Sequence, residues 1–156
     1  MKIVGIDPGT QVLGYSVIEY RRPGMELLVS RVLKVPAKLD LSGKLLHIWT
    51  EIGQWLNQDK PDQVAIEDIF VQYNIQSAFK IGQARGVIIL AAAQQNIPIH
   101  EYSPREVKCA VTGNGNASKE QVAAMVRRHF PQIPAESPLD LTDAIGIAIC
   151  HINRLH

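Results

Sequence analysis

The sequence predicts an α/β fold: a mixed five-stranded sheet with helices on both faces. Two features point there. The N-terminal part carries three apolar or alternating runs separated by Gly/Pro turns, as in strands joined by hairpins. The rest alternates short apolar runs with longer segments of helical spacing, the pattern of β-α-β units and parallel strands.

Residues 2–7 (KIVGID) are short, apolar and β-branched, as a buried strand is. Pro8-Gly9 ends it in a turn. Residues 13–20 and 25–35 read as two further strands around Arg22-Pro23-Gly24. Residues 41–57 place Leu45, Ile48, Trp49, Ile52 and Leu56 at helical spacing, and Pro61 follows as a stop. Residues 63–66 form a strand ending at Glu67. A long helix rich in small residues covers 75–95, and a short strand 97–101.

Residues 104–111 suit a short helix, followed by the Gly/Asn-rich loop 113–116. Ser118 caps a helix over 118–130, with Gln121 completing a capping box. Ser137-Pro138 opens the last helix, with proline at its first position, and the helix runs to about residue 152.

A chain of 156 residues suits one domain. Its composition, 46% hydrophobic and 20% charged, is that of a globular protein. A net charge of +1 neither demands nor excludes nucleic acid, because clustered acids lower the total while bound cations restore positive potential locally. Cys109 and Cys150 show no pairing motif, and the N-terminus lacks the long apolar region of a signal peptide, so the expected location is cytoplasmic. Both cysteines read as small buried hydrophobes, and His129, His151 and His156 as surface or terminal residues.

Three places hold acids that a core would not welcome. Asp7 ends the first strand, Glu67 ends VAIE, and Asp140 and Asp143 open the last helix, three apart and on one face. Acids at strand ends lie at the sheet edge where ligands bind. Converging carboxylates repel unless cations neutralise them. Mg²⁺ or Mn²⁺ prefers such oxygen ligands, and two ions about 3.5–4 Å apart can activate water and stabilise the leaving oxygen of a phosphodiester. Each acid also has a simpler reading: Asp7 as a turn cap, Glu67 as a surface acid, Asp140 as a capping-box partner of Ser137. Asp143, amid Ala144, Ile147 and Ala148, is hardest to explain that way.

Lys108 and Lys119 flank the Gly/Asn-rich loop, where lysine and backbone donors can approach phosphates; solvated surface lysines are the alternative. Phe70 and Tyr73 follow the strand end at Glu67, suited either to stacking on bases or to the core. Arg105, Arg127, Arg128, Lys80 and Arg85 would widen a basic surface. The small residues of 75–95 allow another helix to approach closely, in the core or across a two-fold axis.

The arrangement resembles the RuvC Holliday junction resolvases over nearly the whole chain. GIDPGTQVLGYSVI is similar to that family's opening strand, turn and second strand, and AIEDIF to its second acidic segment. KIGQARGVIILAAAQQNIPIHEYSPREVKCAVTGNGNASKEQV resembles its central block, and LDLTDAIGIAICH its final acidic helix. The resemblance implies an RNase H-like fold and a homodimer that places paired symmetric nicks across a four-way DNA junction in recombination and repair. It implies Mg²⁺ (or Mn²⁺) as cofactor, two ions per site, and RuvA and RuvB as partners. It assigns the catalytic and metal-ligating acids to Asp7, Glu67, Asp140 and Asp143, and DNA contact to Lys108, Lys119, Phe70 and Arg105. Leu141-Thr142 departs from the small alanines common there, which should alter helix packing more than ligation.

Overall fold

The computed structural model describes residues 1–69 and 75–155. Strands β1 (Lys2–Asp7), β2 (Val12–Arg21) and β3 (Gly24–Lys34) come first, then helix α1 (Leu41–Asp59), β4 (Gln63–Glu67), α2 (Ile75–Gln94) and β5 (Ile99–Tyr102). Helices α3 (Pro104–Thr112), α4 (Lys119–His129) and α5 (Leu139–Ile152) complete the chain. The five strands lie in the order β3-β2-β1-β4-β5. β1 pairs antiparallel with β2 and parallel with β4, so the sheet is mixed, as predicted.

The two-residue period of a strand sorts the side chains into two cores. Val4, Ile6, Leu13, Tyr15, Val17, Val64 and Ile66 point to one face, where Ile48, Ile52 and Leu56 of α1 and Ala84, Ile88 and Ala92 of α2 cover them. Ile3 and Ile18 point to the other, against α3, α4 and α5. Ala65 meets Ile147 and Cys150 of α5 on that same side. α5 is buried almost all round because it lies on β1 and β2 and is itself covered by α3 and α4.

Local signals account for most boundaries. Asp40 caps α1 by accepting from the Gly43 amide at 2.8 Å. Capping boxes at Ser103/Glu106 and Ser118/Gln121 open α3 and α4. α5 differs from expectation: Pro138 is its N-cap, one position earlier than predicted, and no side chain caps it. Asp140 is therefore not a capping-box acid. β5 starts two residues later than predicted, at Ile99.

Two other expectations fail. His151 is buried, at 2% exposure, because α5 runs beneath β5. The Tyr102 hydroxyl donates to its Nδ1 at 2.6 Å, its Nε2 bonds the Gln63 amide oxygen, and the His100 ring packs beside it. Cys109 is exposed, on the outer side of α3, while Cys150 is buried. Trp49 lies at the rim of α1, donating Nε1–H to Gln94 at 2.8 Å.

Candidate active site

The strand register brings the first two acids together. Ile6 of β1 pairs with Ile66 of β4, so one step further along these parallel strands stand Asp7 and Glu67. Asp7 shares the face of Ile3 and Gly5, and Glu67 that of Ala65, so both acids point toward α5.

Two glycines let α5 come close enough to meet them. A Cβ on Gly5 would lie 2.1 Å from the Ala144 carbonyl oxygen, and one on Gly14 1.9 Å from that of Asp140. Gly14 pairs with Asp7 across β1 and β2. The start of α5, with Asp140 in its first turn and Asp143 just beyond it, is therefore seated directly on the strand pair that carries Asp7. Sequence reading passes over both glycines, because only the sheet register shows what they face. Of the departing residues, Thr142 is buried with its hydroxyl donating to Leu139 O at 2.9 Å, and Leu141 packs at the edge of the core.

Electrostatics confirm the convergence. Burial first, and then the negative charges of Glu67, Asp143 and Asp140, push the Asp7 carboxyl up to about 8, against a partial offset from Lys119. Burial and Asp143 push Glu67 up to about 7, with Lys119 and Lys108 pulling the other way. Asp143 is raised too, by burial, although Lys119 donates to its Oδ2 at 2.7 Å. The Lys119 ammonium is itself held above its usual range: burial works against it, and Asp143, Asp7 and Glu67 outweigh that. Lys119 thus supplies most of the positive charge near these buried acids, with Lys108 adding to it at Glu67 and Asp143.

The donor set suits a hard divalent cation: carboxylate oxygens only, mutually repelling, and partly desolvated. Among the described residues, no three carboxylate, imidazole or thiolate groups stand close enough to close on one ion in this arrangement. The one ion pair that the acids make among the described residues is Lys119–Asp143, at 2.7 Å.

Other predicted residues fall in different places. Lys108, on α3, is close enough for its charge to act on both Glu67 and Asp143. Arg105 is exposed on the first turn of α3 and packs against Gly115 of the following loop. Phe70 and Tyr73 lie outside the described residues. Arg127 donates to the Pro134 and Ser137 carbonyls, bracing the approach to α5. Arg85 braces the end of β4: its Nε donates to the Glu67 carbonyl at 3.2 Å, and its guanidinium bridges Asp68 and Glu101. Neither arginine was expected to be so internally engaged, since lone arginines in a helical sequence read as surface charge.

Residues 3–151 match the family model described as crossover junction endodeoxyribonuclease RuvC. The chain belongs to the RuvC family. A RuvC from Pelodictyon phaeoclathratiforme is 42% identical over 99% of this chain and 81% of its own length. One from Cytophaga hutchinsonii is 44% identical over 96% of this chain and 74% of its own. Among solved structures, T. thermophilus RuvC in complex with Holliday junction substrate superposes with a TM-score of 0.91 at 33% identity, covering 99% of this chain and 94% of that one. The fowlpox virus resolvase, at 12% identity and a TM-score of 0.62, shares the fold. The RuvC family's RNase H-like architecture is thus the one built here, and membership makes the chain a nuclease.

Proposed function

We propose that this protein resolves four-way DNA junctions, with Asp7, Glu67, Asp140 and Asp143 as metal ligands and catalytic acids at the end of β1 and β4. The observation that carries the reading is the in-register pair Asp7 and Glu67 facing the first turn of α5, in a chain of the RuvC family. The cofactor is Mg²⁺, with Mn²⁺ as substitute and two ions per site; when bound they supply Lewis acidity for activating water and stabilising the leaving oxygen.

The chain's own groups do the rest. The buried carboxylates orient the attacking water and the scissile phosphate in a partly desolvated pocket, where electrostatic effects are strong. The water attacks phosphorus in line, the bond to the 3′ oxygen breaks, and a 5′-phosphate and 3′-hydroxyl result. Asp143 would be among the residues that hold the metal, which would leave the Lys119 ammonium to offset charge on the phosphate oxygens, with Lys108 acting from α3. The capping box at Ser118 fixes the start of α4 and hence the base of Lys119.

A homodimer would place two such sites on the symmetric strands of a junction. Support comes from α2, whose outer face exposes Ile75 (65%), Phe79 (70%) and Leu90 (53%) near helical period, with Gly82 and Gly86 between. The setting is the bacterial cytoplasm, with RuvA and RuvB as branch-migration partners. Phe70 and Arg105 are the remaining proposed DNA contacts.

The test is incubation of a synthetic four-way junction, and of a linear duplex of the same sequence, with protein and Mg²⁺ beside Asp7→Asn. Paired symmetric nicks in the junction alone, lost in the variant while binding persists, are expected. Equal cutting of the duplex would remove the junction specificity.

A further inference from the structure

On the opposite face of the sheet from Lys119, a cleft of roughly 460 Å³ opens between the β1–β2 turn, the start of α1 and the first half of α2. Thr10, Gln11, Ser77 and Gln83 give it polar walls, and Lys44 and Lys80 enter it from different helices. None of its lining residues is acidic. Among the described residues neither ammonium is ion-paired, whereas the Lys119 ammonium is held by Asp143 and the Arg85 guanidinium by Asp68 and Glu101. Asp40, at the start of α1, is turned to its own helix end, where it holds the Gly43 amide at 2.8 Å and the Ser42 hydroxyl at 3.1 Å. Two unpaired cations with uncharged donors around them form a cradle for an anion.

The anion's identity follows from where the cleft begins. Thr10 is three residues from Asp7, so the near lip lies within roughly 11 Å of it along the chain, given the reach of about 3.6 Å per residue. A strand whose scissile phosphate lies at Asp7 and that runs toward the β1–β2 turn would carry further backbone phosphates over that lip.

We propose that this cleft is a second phosphate-backbone subsite, in which Lys44 and Lys80 hold phosphates of the junction a few nucleotides from the cut. The inference rests on the junction-cutting reading. It adds a hold on the DNA that leaves the chemistry at the four acids untouched: the lysines fix the strand's path over the end of the sheet, while Lys119 and Lys108 act on the reacting phosphate.

The experiment compares wild type, the double variant Lys44→Gln/Lys80→Gln, and Lys60→Gln at the far end of α1 as control. Junction affinity is measured against salt with unmodified DNA and with DNA carrying neutral methylphosphonates at positions flanking the cut. Losing two phosphate contacts per protomer lowers the log–log salt slope by about 1.8, so on going from 50 to 200 mM salt wild type should lose about 12-fold more affinity than the double variant for each protomer engaged. Cleavage in single turnover at saturating protein should stay near the wild-type rate. Methylphosphonates near the cut should weaken wild type and the control but leave the double variant unaffected. If wild type cuts junctions and the double variant keeps its salt slope, or is weakened by methylphosphonates as much as wild type, the cleft proposal is overturned. If wild type itself does not cut junctions, the functional reading has failed instead.

Discussion

Gly14→Ala should disable the site without touching any acid. The added Cβ would stand 1.9 Å from the Asp140 carbonyl oxygen, 2.7 Å from its carbonyl carbon and 3.1 Å from the Ala144 Cβ. Real Cβ contacts stay beyond 3.0 Å, so a gap of about 1.1 Å must open between strand and helix. The opposing atoms are backbone, and no side-chain rotation relieves them. The displacement falls on the start of α5, carrying Asp140 and Asp143 away from Asp7 and Glu67. A misplacement of about 1 Å lowers a rate on the order of 10²-fold. Overpacking of this kind also costs about 1–3 kcal/mol, which lowers the melting temperature by roughly 2–12 °C for a chain of this length. The assay is single-turnover cleavage of a four-way junction with saturating protein and Mg²⁺, beside thermal unfolding. Gly53→Ala is the control: nothing lies within 4 Å of a Cβ there, and alanine in a helix interior should add about 0.5–1 kcal/mol. A Gly14→Ala protein that folds and cuts at the wild-type rate would refute the claim that this close approach assembles the site.

Three further outcomes follow from the charges. Asp7 and Glu67 titrate near 8 and 7 in the folded, metal-free protein but near 3.8 and 4.5 when unfolded, so the unfolded chain holds fewer protons between those limits. Metal-free stability should therefore fall as pH rises from about 4 to about 8, and Asp7→Asn should reduce that fall and be more stable at pH 8, by urea unfolding in chelator; a parallel pH dependence in both proteins contradicts it. Lys119→Met keeps the aliphatic stem and should slow cutting by about 10²–10³ while junction affinity stays near wild type, whereas an equal loss of both would make Lys119 a binding residue only. His151, held down to about 4 by burial and His100, should remain neutral through the range where a free imidazole near 6.5 takes up its proton. Its contribution to stability is complete above that range and lost as pH falls toward 4, and its ring resonances should not move between about pH 7 and 5.

Much of this was legible because each acid interrupts a strong apolar pattern. KIVGID and VAIE end in acids after runs that can only be buried strands, and LDLTDAIGIAICHI is too apolar to be anything but a buried helix with acids at its mouth. The capping boxes at Ser118 and the prolines marked helix ends by local chemistry. What escaped depends on contacts between distant residues. Gly5 and Gly14 read as ordinary strand residues until the sheet order shows α5 lying on them. Arg85 reads as surface charge until α2 is placed beside the end of β4. His151 looked terminal because it stands close to His156, yet α5 carries it under β5 beside Tyr102 and His100. Cys109 was expected inside because cysteine usually is, but α3 turns it outward while Val107 and Val111 take the buried side. Pro138 was one position out because the preceding serine suggested a cap it does not make.

The most direct test of the carboxylate site is an anomalous difference map from crystals grown with Mn²⁺. The account predicts density among Asp7, Glu67, Asp140 and Asp143, between the ends of β1 and β4 and the start of α5, with the Lys119 ammonium moved off Asp143. Crystals of cleavage-competent protein that hold Mn²⁺ elsewhere, or hold none while Lys119 stays on Asp143, would contradict it.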